Sequence, residues 1–86
     1  MTRRSECQTA LAQEVERWSN MPWEKLLRAL QDTHDYQVEV GAIHYQVEVQ
    51  LLENTEHYIH VSVAIDDGGL LSPMFPLSDS FVKKKD

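Results

Sequence analysis

Two periods of apolar residues divide the chain. Over residues 5–18, Cys7, Leu11, Val15 and Trp18 recur at intervals of four, four and three. That spacing sets them in one stripe along a helix, with Glu6, Gln13, Glu16 and Arg17 on the remaining surface. Ser5 stands where an N-cap is expected, with Gln8 three residues on as its reciprocal partner. Ser19-Asn20-Met21-Pro22 breaks the pattern, and Pro22 suits the first turn of a second helix, where its missing N–H would have had no acceptor. Trp23, Leu26, Leu27 and Leu30 follow at i, i+3, i+4 and i+7 and predict a helix that ends near Thr33. From Tyr36 to Ile65 the period shortens to two. Tyr36, Val38 and Val40 alternate with Gln37 and Glu39; Ile43, Tyr45, Val47, Val49 and Leu51 alternate with His44, Gln46, Glu48 and Gln50. A third run, His57, Ile59, Val61, Val63 and Ile65, alternates with Tyr58, His60, Ser62 and Ala64. These are strands with one apolar and one polar face, and a sheet covered on one side is antiparallel by preference.

Parity tests the pairing, because residues opposite one another share a face. A two-residue Gly41-Ala42 loop of type II′ sets Val40 against Ile43, Val38 against Tyr45 and Tyr36 against Val47, every pair apolar. In the second hairpin an Asn54-Thr55 loop fails this test. A three-residue loop, Asn54-Thr55-Glu56, passes it with Leu51 opposite Ile59, Val49 opposite Val61 and Val47 opposite Val63; an equivalent bulge would also serve. Beyond Ile65, Asp66-Asp67-Gly68-Gly69 signals a turn. Leu70 to Phe75 either returns as a fourth strand, confined to an edge by Pro73 and Pro76, or lies outside the sheet. Ser78-Asp79-Ser80-Phe81-Val82 reads as a single turn that tucks Phe81 under the sheet, and Lys83-Lys84-Lys85-Asp86 as a frayed end. Tyr-Gln-Val-Glu-Val occurs at both 36–40 and 45–49, only nine residues apart. The two arms of one hairpin explain that echo better than a solenoid repeat. The expected fold is α+β: two N-terminal amphipathic helices on one face of a three- or four-stranded antiparallel meander, in one domain over 1–86.

Composition narrows the function classes. The 86 residues hold 14 Asp and Glu against 8 Lys and Arg, a formal charge of −6 that repels phosphate backbones, so nucleic acid is not an expected partner. A chain this short buries only about two-thirds of its unfolded surface and has room for one core. A single cysteine makes no internal disulfide, which points to a reducing compartment. The positive start Met1-Thr2-Arg3-Arg4 is followed by Glu6, Gln8, Gln13 and Glu14 in place of a signal peptide's apolar core. No stretch approaches the roughly 20 apolar residues of a membrane span, so a cytoplasmic chain without membrane contact is expected.

Several side chains are candidates for chemistry. The expected register sets Glu39 opposite His44 and Gln50 opposite His60, with Glu48 diagonal to His60, close enough for histidine–carboxylate pairs. These pairs lie on different strands, whereas a metal needs three or four converging ligands, so no metal site and no cofactor are expected. His57 starts a strand, half in solvent, and His34 sits beside Asp35 where it can serve a helix C-terminus as a cation. Cys7 lies in a first helical turn, which lowers a thiol's pKa, but it also belongs to the apolar stripe and reads as a packed small hydrophobe. The Asp66–Gly69 turn lacks the oxygen pattern of a calcium loop and repels phosphate. Trp18 and Trp23 flank the inter-helix break, either locking the helices to the sheet or marking a recognition surface. Leu70, Leu71, Met74, Phe75 and Leu77 form the most apolar segment, which either covers an open sheet edge or meets another protein molecule.

The run from Tyr45-Gln46-Val47-Glu48-Val49 through Val61-Ser62-Val63-Ala64-Ile65-Asp66-Asp67-Gly68-Gly69 to Pro76-Leu77-Ser78-Asp79-Ser80-Phe81 resembles a group of small uncharacterised bacterial α+β proteins. In that group a strand ending in Asp-Asp-Gly is followed by a Pro/Ser-rich turn and a Phe. The resemblance covers the C-terminal half and implies that architecture, with no activity attached. No catalytic constellation stands out, so the chain is expected not to be an enzyme but a protein-binding or self-associating module, as a homodimer or with another protein. Two alternatives stay open: a small metal-dependent or acid–base enzyme built on Glu39, His44, Glu48 and His60, and an acidic chaperone-like or immunity-like protein that masks a basic partner.

Overall fold

A chain whose period switches from 3.6 to 2 must bury its helical stripes on its alternating strands. The computed structural model, which describes residues 3–66 and 77–85, has this arrangement. Helices α1 (Arg3–Ser19) and α2 (Trp23–Ala29) precede strands β1 (His34–Val40), β2 (Ile43–Asn54), β3 (Tyr58–Asp66) and β4 (Leu77–Lys84). The strands form one antiparallel sheet in the order β1-β2-β3-β4, so the fold is α+β with a four-stranded meander.

Both helices differ from expectation at their ends. The first begins at Arg3, which leaves Ser5 inside the helix and not at its cap. Arginine is a good helix former, so Arg3 and Arg4 continue the helix ahead of Ser5. Ala10, buried beside Cys7, Leu11 and Trp18, widens that stripe. The second helix has Pro22 at its N-cap and stops at Ala29, short of Thr33. Two turns are too few for a helix to stand on its own propensity. It is held by Leu26 and Leu30, which are buried in the common core. The residues beyond are taken by β1, which opens two positions earlier than the alternation shows and pairs His34 with Val49.

The first hairpin has the expected register, Val40 with Ile43, Val38 with Tyr45 and Tyr36 with Val47. Gly41 has φ +62°, and no non-glycine residue described has a positive φ. A positive angle at the first central position alone is the mark of a type II′ turn. The second hairpin keeps the expected parity in a register shifted by two: Leu51 pairs with Val61, Val49 with Val63 and Val47 with Ile65. Its last pair is Asn54 with Ile59, and a bulge interrupts the ladder between Leu51 and Glu53. Four residues inside that closing pair would by themselves put the two strands' apolar faces on opposite sides. The extra residue, Leu52, restores the match. Thr55 organises the loop, its hydroxyl donating to the Tyr58 carbonyl (3.1 Å) and accepting from the His57 and Tyr58 amides (3.2 and 3.1 Å).

The segment expected to make a single turn and a frayed end is β4. Leu77 pairs with Ile65, Phe81 with Val61 and Lys83 with Ile59, so these side chains face the helices. Lys83 lays its stem along that face and donates from Nζ to the Ser19 carbonyl at the end of α1 (2.8 Å). Lys85 is anchored as well. Its amide donates to the His57 carbonyl (2.8 Å), and its ammonium lies 5.1 Å from the Trp23 ring centre and 2.6 Å from Asn54 Oδ1. Helix α1 lies over β3 and β4, while Trp18 reaches across to Tyr36 of β1. The last turn of α1 therefore touches both outer strands.

Candidate functional site

Three places on the described residues bring polar or titratable groups together. The first is the seam between the end of α1 and the start of β1. Trp18, only 3% exposed, donates its indole N–H to the Tyr36 hydroxyl (2.8 Å). Tyr36 in turn donates to Glu14, which also holds Arg17 at 3.2 Å. The Arg17 guanidinium carbon lies 5.6 Å from the Tyr36 ring centre, and the His34 ring meets Trp18 edge-on at 5.4 Å. Burial, and then the bond to the Glu14 carboxylate, push the Tyr36 phenol up to about 12, so its proton stays in place through neutral pH. The cluster docks a helix on a strand. Its apolar part was legible in the alternation; the Glu14–Tyr36 bond spans 22 positions and has no local signature.

The second place is the open face of the sheet. Glu39 and His44 pair as expected, at 3.4 Å, both well exposed. The shifted register separates the other two candidates. His60 stands opposite Glu53, not Gln50, and its Nε2 lies 3.0 Å from Ser80 Oγ on β4. Glu48 stands between Asp35 and Ala64. With Asp35, Gln46 and Asp66 it lines a shallow hollow of about 190 Å³. Tyr58 donates to Glu53 (2.9 Å), and that carboxylate raises its phenol pKa. Among the described residues no three His, Cys, Asp or Glu side chains are placed to hold a metal ion.

The third place was not foreseen. A hollow of about 260 Å³ runs between the N-terminal half of α1 and the end of β1, lined by Glu6, Thr9, Ala10, Gln13 and Val40. It adjoins a free strand edge, because β1 is an outer strand that pairs with β2 alone among the described strands. Along that edge Tyr36, Val38 and Val40 are half-buried on the helix side, while Asp35, Gln37 and Glu39 are exposed on the other. The only sequence signal was the narrowness of the α1 stripe, which leaves the helix flank beside β1 without large apolar side chains.

The remaining candidates take ordinary places. Cys7 is fully buried in the core. His57 is exposed in the β2–β3 loop, and His34 opens β1. Trp23 is half-buried against the core where Trp18 is buried. Of the apolar segment, Leu70, Leu71, Met74 and Phe75 lie outside the described residues; Leu77 begins β4, half-buried against Ile65. No described helix is long and apolar enough to cross a membrane. Comparison of the chain with protein-family models, with curated proteins and with solved structures finds no match.

Proposed function

We propose that this chain is a non-catalytic module that binds another protein through the outer edge of β1 and the hollow beside it. The observation that carries the reading is a strand whose outer hydrogen-bonding edge no described strand pairs, with a half-buried apolar row next to an open groove. Edges of this kind are either blocked or used. On β4 the charged Lys83 and Lys84 blunt the edge, whereas β1 carries no lysine, arginine or proline. The paired states of Glu14, Tyr36, Glu39 and His44 also favour binding over catalysis, since each is engaged with a structural neighbour. A foreign partner suits β1 better than a second copy. Antiparallel self-pairing centred on Gln37 sets Asp35 against Glu39 twice, and like charges directly opposite destabilise a ladder.

A photo-crosslinking amino acid at Gln37, compared with one at the exposed Glu24 of α2, tests the reading in the native host. The expected result is a discrete adduct from position 37 that is absent from position 24. Adducts of twice the chain mass would assign the edge to self-association. A chain that yields none from β1, from the open face at Ser62 or from β4 is not a binding module.

A further inference from the structure

We infer that the guest on β1 is an extended peptide segment in which Lys or Arg alternates with apolar residues, added as a fifth strand; this rests on the binding reading above. The geometry specifies each part of that description. In an antiparallel ladder bonded and unbonded pairs alternate. The Val40–Ile43 pair closes a two-residue loop and is a bonded one. Val38 and Tyr36 therefore spend their backbone groups on β2, and Asp35, Gln37 and Glu39 direct theirs outward. A strand laid along this edge must itself alternate. One set of its side chains falls on the open face beside Asp35, which stands opposite Glu48, and beside Glu39, which is paired with His44. Carboxylates outnumber the one imidazole there and select cations. The other set falls beside Tyr36, Val38 and Val40 and over the α1 hollow, where Ala10 and Thr9 leave room for apolar groups. Glu6 lines the same hollow and adds to the negative field, and among the described side chains of α1 the cation Arg17 is held by Glu14 at the far end. The seven residues of β1 fit a guest of about six or seven residues.

The test uses the full chain, isotope-labelled for NMR, and a capped peptide, Lys-Val-Lys-Val-Lys-Val-Lys. The expected result is saturable binding that weakens with salt, together with new hydrogen-exchange protection at the Asp35, Gln37 and Glu39 amides. N-methylating one alternate set of peptide nitrogens abolishes binding, and N-methylating the other set spares it. Asp35→Lys with Glu39→Lys, both exposed and remote from the core, lowers affinity for the lysine peptide about tenfold and favours a glutamate–valine peptide. Tolerance of both methylation patterns overturns the inference, as does protection at Gln46 and Glu48 in place of β1. Absence of binding at about 1 mM peptide also overturns it. A crosslink at Gln37 without peptide binding leaves the binding module standing and removes this guest.

Discussion

Tyr36 shows how one side chain does two jobs that alternation announces only in part. Its ring belongs to the apolar row of β1, and its hydroxyl accepts from Trp18 and donates to Glu14. Tyr36→Phe keeps the ring and leaves the buried indole N–H without its acceptor, so a loss of about 1–2 kcal/mol is expected in urea unfolding. The phenol also sets a pH dependence. Its ordinary pKa of 10.0 rises to about 12 in the fold, so folded and unfolded chains both hold the proton below about pH 10, and the contribution is complete there. Between about 10 and 12 the unfolded chain releases the proton while the folded chain retains it, and stability falls as pH rises. Tyr36→Phe removes that slope. An identical decline in wild type and variant would show that the hydroxyl is free of this linkage.

At the scale of elements, the turns decide what the strands cannot. Gly41 has open space where a Cβ would stand, with nothing within 4 Å, so Gly41→Ala meets no clash and only backbone strain. The expected loss is about 1–2 kcal/mol at unchanged register, read from urea unfolding and from the Val38–Tyr45 cross-strand contacts in NMR. A neutral substitution would mean that the turn is not held in its positive-φ form. The second hairpin shows the limit of pattern reading. Apolar residues at every second position required that Leu51, Val49 and Val47 face apolar partners. That requirement is met equally well by registers two residues apart. The choice between them lies in the Thr55 hydrogen bonds and the bulge at Leu52, whose adjacent leucines break the alternation without saying which register follows. Strand β4 was hidden for another reason. Leu77-Ser78-Asp79-Ser80-Phe81-Val82-Lys83-Lys84 has weak strand propensity and pairs because β3 offers it a complete edge.

Across the whole molecule, α1 ties the outer strands together, through Trp18 to Tyr36 on one side and Ser19 to Lys83 on the other. The sheet and its helix are therefore expected to unfold as one unit. In a Trp23→Phe background, Trp18 emission and far-ultraviolet ellipticity should follow a single curve in urea. Emission changing ahead of ellipticity would show α1 leaving an intact sheet. The same arrangement bears on the candidate site. Because α1 lies over β3 and β4 and meets β1 at Tyr36 through its second half, its N-terminal half leaves the hollow beside the outer edge of β1.

The amino-acid order alone determined the helical stripes, the strand faces, the type II′ turn and the Glu39–His44 pair. Each depends on residues within about one turn or one hairpin of each other, where spacing is geometry. Tertiary structure decided the register of β2 against β3, the separation of His60 from Glu48, the recruitment of β4 and the groove beside β1. The register, and with it the place of His60, rests on loop and bulge geometry that two equally apolar pairings leave open. Strand β4 and the groove depend on which distant segments meet across the common core, which no local spacing records.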